Sequence, residues 1–205
     1  MSESAVVNAT QESYESPVTP ESWGKFGMWI FLAGDAMSFG ALLVVYGALR
    51  AATSNWPIPA ETLGIGLTAF MTFLLIVSSL TMVKGLSAVK RGDIAGLKKY
   101  LGLTILGGVI FLGLQAYEWT HLIHSGLGFS ENPWGSALFG ATFFSITGFH
   151  GMHVTGGVIY LSVVLINAQK GKFSAENYNL VELVGLYWHF VDLVWILVFT
   201  LVYLI

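Results

Sequence analysis

Cysteine is absent from the 205 residues of this sequence. Its absence excludes disulfides, thiolate nucleophiles, iron–sulfur clusters and copper sites built on thiolates from the chain. Charged residues are also scarce, since they make up 10% of the sequence while hydrophobic residues make up 55%. Soluble domains carry about 25% charged residues. The composition therefore indicates a membrane protein.

Long apolar segments account for most of the chain, and each exceeds the ~20 residues that cross a bilayer. They cover residues 23–50, 62–90, 97–123, 136–167 and 178–204. Because only short loops separate them, the sequence predicts one all-α domain over residues 22–205, a bundle of five transmembrane helices. Residues 1–21 contain neither the basic nor the apolar region of a signal peptide. We expect them to form a disordered acidic cytoplasmic tail.

The distribution of basic residues predicts how the bundle is oriented. One side carries Lys25, Lys84, Lys90, Arg91, Lys98, Lys99, Lys170 and Lys172. Only Arg50 lies on the other side. Because lysine and arginine concentrate on the cytoplasmic side of membrane proteins, we expect the N-terminus inside and the C-terminus outside.

The last apolar segment contains a histidine and an aspartate within residues 187–195, whose sequence is YWHFVDLVW. At about 100° per residue, Glu182, Gly185, His189 and Asp192 share one helix face of roughly 80° of arc. A polar face on so apolar a helix must contact protein, lipid head groups or trapped water.

Ionisable residues occur at three further places inside the predicted membrane spans. An intramembrane charge costs at least ~2.5 kcal/mol on insertion scales, so such residues are functional candidates. The candidates are Asp35 near the middle of the first segment, Glu118 and His121 beside Gln115 in the third, and His150 and His153 midway along the fourth. We interpret Asp35 as a protonated or hydrogen-bonded structural carboxyl at a helix or subunit contact, with lipid or proton handling as the alternative.

Two interpretations account for these polar groups together. Glu118 and His121 have the Glu-x-x-His spacing of di-iron bundles, but such bundles need a second motif and two further glutamates. A metal site is therefore the weaker interpretation. The favoured one pairs the polar groups with each other, Glu118 with a histidine and Asp192 with His189, on a face shared by segments three, four and five. That face would also suit phospholipid head groups or a partner subunit.

Three motifs resemble subunit III of haem–copper terminal oxidases. They are LQAYEW at residues 114–119, TGFHGMHV at 147–154 and YWHFVDLVW at 187–195. The resemblance runs from about Trp23 to the C-terminus and is to the five-helix form of the family. Asp35 then corresponds to the family's buried acid, with Gly34-Asp35 in place of the usual Ser-Glu pair. Glu118, His150, His153, Glu182, His189 and Asp192 match the buried polar set by position.

The resemblance implies a non-catalytic subunit of a proton-pumping oxygen reductase in a bacterial-type inner membrane. This chain is then expected to contain no catalytic residue and to bind no haem or metal, because haem and copper belong to partner subunits. The expected partners are subunit I in direct contact, subunit II and a small subunit IV, structural phospholipid, and cytochrome c or quinol as donor. No nucleic-acid partner is expected. The implied roles are to stabilise subunit I and to sustain its proton uptake.

The resemblance most favours a cytochrome c oxidase, with a quinol oxidase of the cytochrome o type as the alternative. A nitric-oxide-reductase accessory protein of the same family is a lesser one. From a different class, a stand-alone proton-coupled carrier would use Asp35 and the histidine and aspartate faces as a relay. The sequence shows no internal repeat, a feature of many such carriers.

Overall fold

The structure is a computed structural model that describes residues 23–205. Five long helices follow one another: α1 Trp23–Ala52, α2 Ile65–Lys90, α3 Ile94–His124, α4 Ala137–Gln169 and α5 Asn179–Val198. A π-helical turn, Phe199–Leu204, continues α5. All five are long and apolar enough to cross a membrane, and the described residues contain no strand. This confirms the predicted all-α class and the five helices. The predicted tail at residues 1–21 lies outside the described residues.

The helix ends have local causes. α3 begins after Asp93, whose carboxylate accepts a hydrogen bond from the Gly96 amide at 2.8 Å. Just before it, Gly92 has a φ of 75°, which lets the chain turn sharply out of α2. Two elements were not predicted, a single helical turn at Pro59–Thr62 and the π-helical turn. Hydropathy does not reveal either, because the first lies in the break between two predicted segments and the second continues an apolar run.

Four of the helices form the body of the molecule. α2 packs on α3, α3 on α4 and α4 on α5, and α5 contacts α2 to close the bundle. α1 lies outside this body against α4 and α5. It buries only Leu32, Phe39 and Tyr46, which recur every seven residues and so form one narrow stripe.

We name the two ends of the bundle by their residues. The basic end is the one at which α1, α3 and α5 begin, and it contains the turn with Lys90 and Arg91 between α2 and α3. The far end contains Arg50, the helical turn Pro59–Thr62 and the π-helical turn. The assignment of the basic end to the cytoplasm is a prediction from the sequence.

Trp188 lies at the centre of the four-helix body. Its side chain is 1% exposed, and its indole Nε1 donates to Ser78 Oγ on α2 at 3.0 Å. A Cβ at Gly108 on α3 would lie 2.6 Å from the Trp188 ring, and one at Gly157 on α4 would lie 2.9 Å from it. Any side chain at either glycine would therefore collide with the indole, so the two glycines form the slot that admits it.

Replacing Gly108 by alanine should destabilise the protein by about 1–3 kcal/mol, because the added methyl overpacks the Trp188 slot. Gly102→Ala is the matched control, since it lies on the same helix and its Cβ would meet nothing within 4 Å. The measurement is the thermal stability of both variants in mild detergent, followed by size-exclusion chromatography with fluorescence detection. Equal stability of the two variants would contradict the slot.

Candidate functional site

The ionisable residues predicted as site candidates are distributed over several clusters. Those residues are Asp35, Glu118, His121, His150, His153, Glu182, His189 and Asp192. Most are linked to helices other than their own, and the clusters occupy different depths of the bundle. The single polar face that we expected between segments three, four and five is therefore not what the structure shows. Each cluster is described in turn below.

Asp35 and His153 form a hydrogen-bonded pair between α1 and α4. The Asp35 Oδ2 and His153 Nε2 atoms are 3.1 Å apart, and the two side chains are 17% and 12% exposed. The rings of Phe39 and Phe149 pack on the imidazole at centroid distances of 5.1 and 4.7 Å. Tyr187 of α5 donates its hydroxyl proton to the His153 carbonyl at 2.9 Å. Three helices therefore meet at this pair.

The surroundings of His153 limit how protons are arranged in the pair. Its Nδ1 atom lies 2.8 Å from the Phe149 carbonyl, which can only accept, so Nδ1 carries a proton. One further proton then joins Nε2 to the Asp35 carboxyl. Whether this proton lies on nitrogen or on oxygen, the pair has no net charge. A neutral pair reduces the cost of placing Asp35 in an apolar bundle.

Glu118 is buried at 3% exposure and interacts with two hydroxyl groups. Thr68 on α2 donates to its Oε1 atom at 2.9 Å, and Tyr203 in the π-helical turn donates to Oε2 at 3.0 Å. The predicted pairing of Glu118 with a histidine is therefore wrong. His121 follows one turn later on α3 and is exposed at the far end. The Glu-x-x-His motif thus has its two side chains in different environments.

His150 is completely buried beside α5. Its Nε2 atom lies 3.2 Å from the Val191 carbonyl, and its ring packs on the Trp195 ring at a centroid distance of 4.8 Å. Its Nδ1 atom makes no hydrogen bond with the described residues. Phe111 packs edge-on against the same ring at 5.6 Å. The imidazole is therefore packed among aromatic rings in the core.

The polar face of α5 points toward α1 and α2. Glu182 accepts from Lys25 of α1 at 2.9 Å near the basic end. His189 Nδ1 is hydrogen-bonded to the Ser79 hydroxyl of α2, so the predicted pairing of His189 with Asp192 is replaced by a contact between helices. Asp192 is 8% exposed and also lies beside Ser79. This face therefore fastens α5 to its two neighbours.

Within residues 23–205, no three histidine or carboxylate side chains come close enough together to hold a metal ion. This finding agrees with the separate environments of Glu118 and His121. The arrangement of the described residues is one of paired polar groups between packed helices.

A groove runs along the outer surface of α4 in two lobes. The larger lobe, of ≈ 820 Å³, lies between α1 and α4, and its lining includes Ser38, Ala41 and Val45. The second, of ≈ 600 Å³, lies between α3 and α4. Trp119 and Gly148 line both lobes, so the lobes adjoin. Since both lie within the apolar length of the helices, the groove suits the acyl chains of lipid.

Most of the neutral partners in these clusters were not predicted from the sequence. The missed residues are Thr68, Ser78, Ser79, Tyr187 and Tyr203. Serine and threonine are common in membrane helices, so their presence alone gives no signal. The structure buries Tyr203 completely.

The family model described as "Cytochrome c oxidase subunit III" matches residues 8–205 of this chain. The chain belongs to that family. The probable cytochrome c oxidase subunit 3 of Nocardia farcinica is 37% identical over 180 residues, which cover 87% of this chain and 86% of the relative. The cytochrome c oxidase subunit 3 of Alkalihalophilus pseudofirmus is 35% identical, and the match covers 94% of this chain and 92% of the relative. The subunit 3 of Bacillus subtilis is 37% identical, and the match covers 91% of this chain and 89% of the relative.

Membership of the cytochrome c oxidase subunit III family confirms the resemblance found in the three motifs. The chain is therefore a haem–copper oxidase subunit, and it works as part of an oxidase complex with other subunits. All three motifs contribute to the clusters described above: Glu118 is in the first, His150 and His153 are in the second, and His189 and Asp192 are in the third.

The Asp35–His153 pair should show a coupling free energy of about 0.5–3 kcal/mol in a double-mutant cycle. Asp35→Ala and His153→Ala each leave one polar side chain without its partner in an apolar site. The double variant removes both side chains and so leaves no unpaired one. The measurement is unfolding of the four proteins in detergent. Ser38→Ala, an exposed change on the same helix, is the control and should show no coupling to His153→Ala. Additive effects for the Asp35 cycle would contradict the pair.

Proposed function

We propose that this chain is the non-catalytic subunit III of a proton-pumping oxygen reductase, of the cytochrome c oxidase type. In this role it contacts subunit I directly, stabilises it and sustains its proton uptake. The reduction of dioxygen takes place on haem and copper in partner subunits, among which subunit II and a small subunit IV complete the complex. The match of the family model to residues 8–205 is the observation that carries the proposal.

The geometry of the polar clusters favours a structural role for these residues over a catalytic one. Glu118, Glu182 and His189 use their polar atoms to join helices of this chain. Asp35 does the same through His153. Residues used in this way stabilise an arrangement of helices, and such an arrangement presents a defined surface to a neighbouring subunit.

The proposal places the basic end of the bundle in the cytoplasm of a bacterial-type cell. Eight of the nine lysine and arginine residues lie toward this end, and Arg50 alone lies toward the other. The positive-inside rule then gives a cytoplasmic N-terminus and an external C-terminus. In this orientation the groove along α4 reaches from the middle of the membrane toward its outer surface.

Structural phospholipid is the proposed occupant of the groove along α4. The larger lobe is lined mostly by apolar and small residues of α1 and α4, together with Trp119 of α3 and Phe129 of the loop that follows it. Acyl chains match such a surface, and the head group would then lie near the far end of the bundle.

Purification of a tagged form of this chain in gentle detergent should yield a coloured complex. We expect a polytopic subunit that contains haem to copurify in stoichiometric amount, with the optical spectrum of haem as the readout. A homogeneous and colourless monomer or homo-oligomer would contradict the proposal. Proton flux through the purified chain in liposomes, abolished in Asp35→Asn, would instead support a stand-alone carrier.

The same complex decides between the two electron donors. A copurifying subunit II with a cysteine-rich copper site would establish cytochrome c as the donor, and a subunit II without one would establish quinol. The relatives named above carry the name cytochrome c oxidase subunit 3, which is why the proposal favours cytochrome c.

Filling the groove should displace lipid. Ser145→Trp places an indole in the larger lobe, so we expect the complex to retain about one phospholipid fewer per chain, since a cavity of this size suits one ligand. Phosphorus analysis or native mass spectrometry of the purified complex gives the lipid content. Ile166→Trp is the control, because Ile166 is an exposed residue of α4 outside the groove. Equal lipid loss in both variants would rule out a specific site.

A further inference from the structure

The far half of α1 packs against the rest of the protein mainly through Phe39, Tyr46 and the partly buried Leu42 and Leu43. Beyond the Asp35–His153 pair, its only buried side chains are Phe39 and Tyr46. Gly40 and Gly47 lie on the same half, and a Cβ built on either meets no atom within 4 Å. So little packing leaves the position of this half dependent on a few specific contacts.

Tyr46 supplies the outermost of these contacts. Its ring is 2% exposed, and its hydroxyl donates to the Val202 carbonyl in the π-helical turn at 3.3 Å. The last carbonyls of a helix have no amide donor further along the helix, so they need partners from elsewhere. The Tyr46 hydroxyl meets this need for Val202 and joins α1 to the end of α5.

The π-helical turn also sets the position of Tyr203. Trp188 and Trp195 are seven residues apart, and their indoles donate to Ser78 and Thr72 of α2. If the seven-residue spacing continued, the next residue on this face would be residue 202. The next aromatic residue on the face is instead Tyr203, one position later. The extra residue is the one that the π-helical turn accommodates.

Without the extra residue, the Tyr203 side chain would be rotated by about 100° around the helix axis. Its hydroxyl would then lose the Glu118 carboxylate, to which it donates at 3.0 Å. Glu118 is in turn bonded to Thr68 of α2. The turn therefore brings together one contact to α1, through Val202, and one to α3 and α2, through Tyr203.

We propose that the π-helical turn Phe199–Leu204 is a clasp that fixes the far half of α1 to the four-helix body. The Tyr203–Glu118 bond fixes the turn to the body, and the Tyr46–Val202 bond fixes α1 to the turn. Tyr46, Tyr203 and Glu118 are positioning residues in this device. Loss of either bond releases α1 at the far end.

The clasp also determines the width of the groove along α4. Ser38, Ala41 and Val45 line its larger lobe, and they lie on α1 between Asp35 and Tyr46. If the Asp35–His153 pair stays formed while the Tyr46–Val202 bond breaks, α1 pivots about the pair. The wall of the groove that α1 provides then moves. That the groove contains lipid rests on the proposed function, whereas the clasp itself does not.

The test is hydrogen–deuterium exchange of the full chain in its native membrane complex, with mass spectrometry of peptides from this chain alone. In Tyr46→Phe we expect amides of residues 47–52 and of residues 199–205 to exchange about tenfold faster, as for loss of a buried hydrogen bond. Tyr203→Phe keeps the ring and should accelerate the same two segments. Tyr117→Phe, which alters a tyrosine 65% exposed on α3, is the control and should accelerate neither.

Peptides from residues 84–99 at the basic end report whether each variant is folded. With those unchanged, faster exchange in both far-end segments supports the clasp. Faster exchange confined to the helix that carries the substitution, or unchanged exchange in both tyrosine variants, overturns it. If one variant also loses protection at residues 84–99, the other variant decides. The readout does not involve haem, so failure of the clasp and failure of the proposed function remain distinguishable.

Discussion

The packing of one indole ring determines how the four helices of the body are arranged. Trp188 projects from α5 into a slot that exists because Gly108 and Gly157 have no side chains, and its nitrogen binds Ser78 on the remaining helix of the body. All four helices thus contact one rigid ring, which sets their separations and their rotation. The hydrogen bonds between helices farther along the bundle form only if this register is correct, since each needs two atoms within about 3 Å.

A second constraint comes from the apolar surroundings. With little water available, most polar side chains along these helices find partners inside the protein, although some buried atoms such as His150 Nδ1 have none. In this chain the partners are mostly hydroxyl groups of neighbouring helices, as at Glu118 and His189. The ionisable residues thereby give each pair of helices a specific contact that apolar packing alone would not provide. Specific contacts of this kind favour one arrangement of the five helices over others.

The sequence sufficed for the helices and for the family, because apolar length and three contiguous motifs are visible in a single chain. It did not suffice for the contacts. That Asp35 and His153 meet depends on how α1 leans on α4, and no spacing in the sequence shows this. Pairing Glu118 with a histidine failed because the π-helical turn, which leaves no mark in hydropathy, brings Tyr203 to that carboxylate. Local patterns predict elements, whereas contacts between distant residues depend on packing.

The attachment of α1 has a consequence for biogenesis. α1 is synthesised before the other helices, yet its polar contacts go to Glu182, His153 and the Val202 carbonyl, which belong to the last part of the chain. None of these partners exists until α4 and α5 have been made. α1 can therefore complete its polar contacts only after the end of α5 and the π-helical turn have been synthesised.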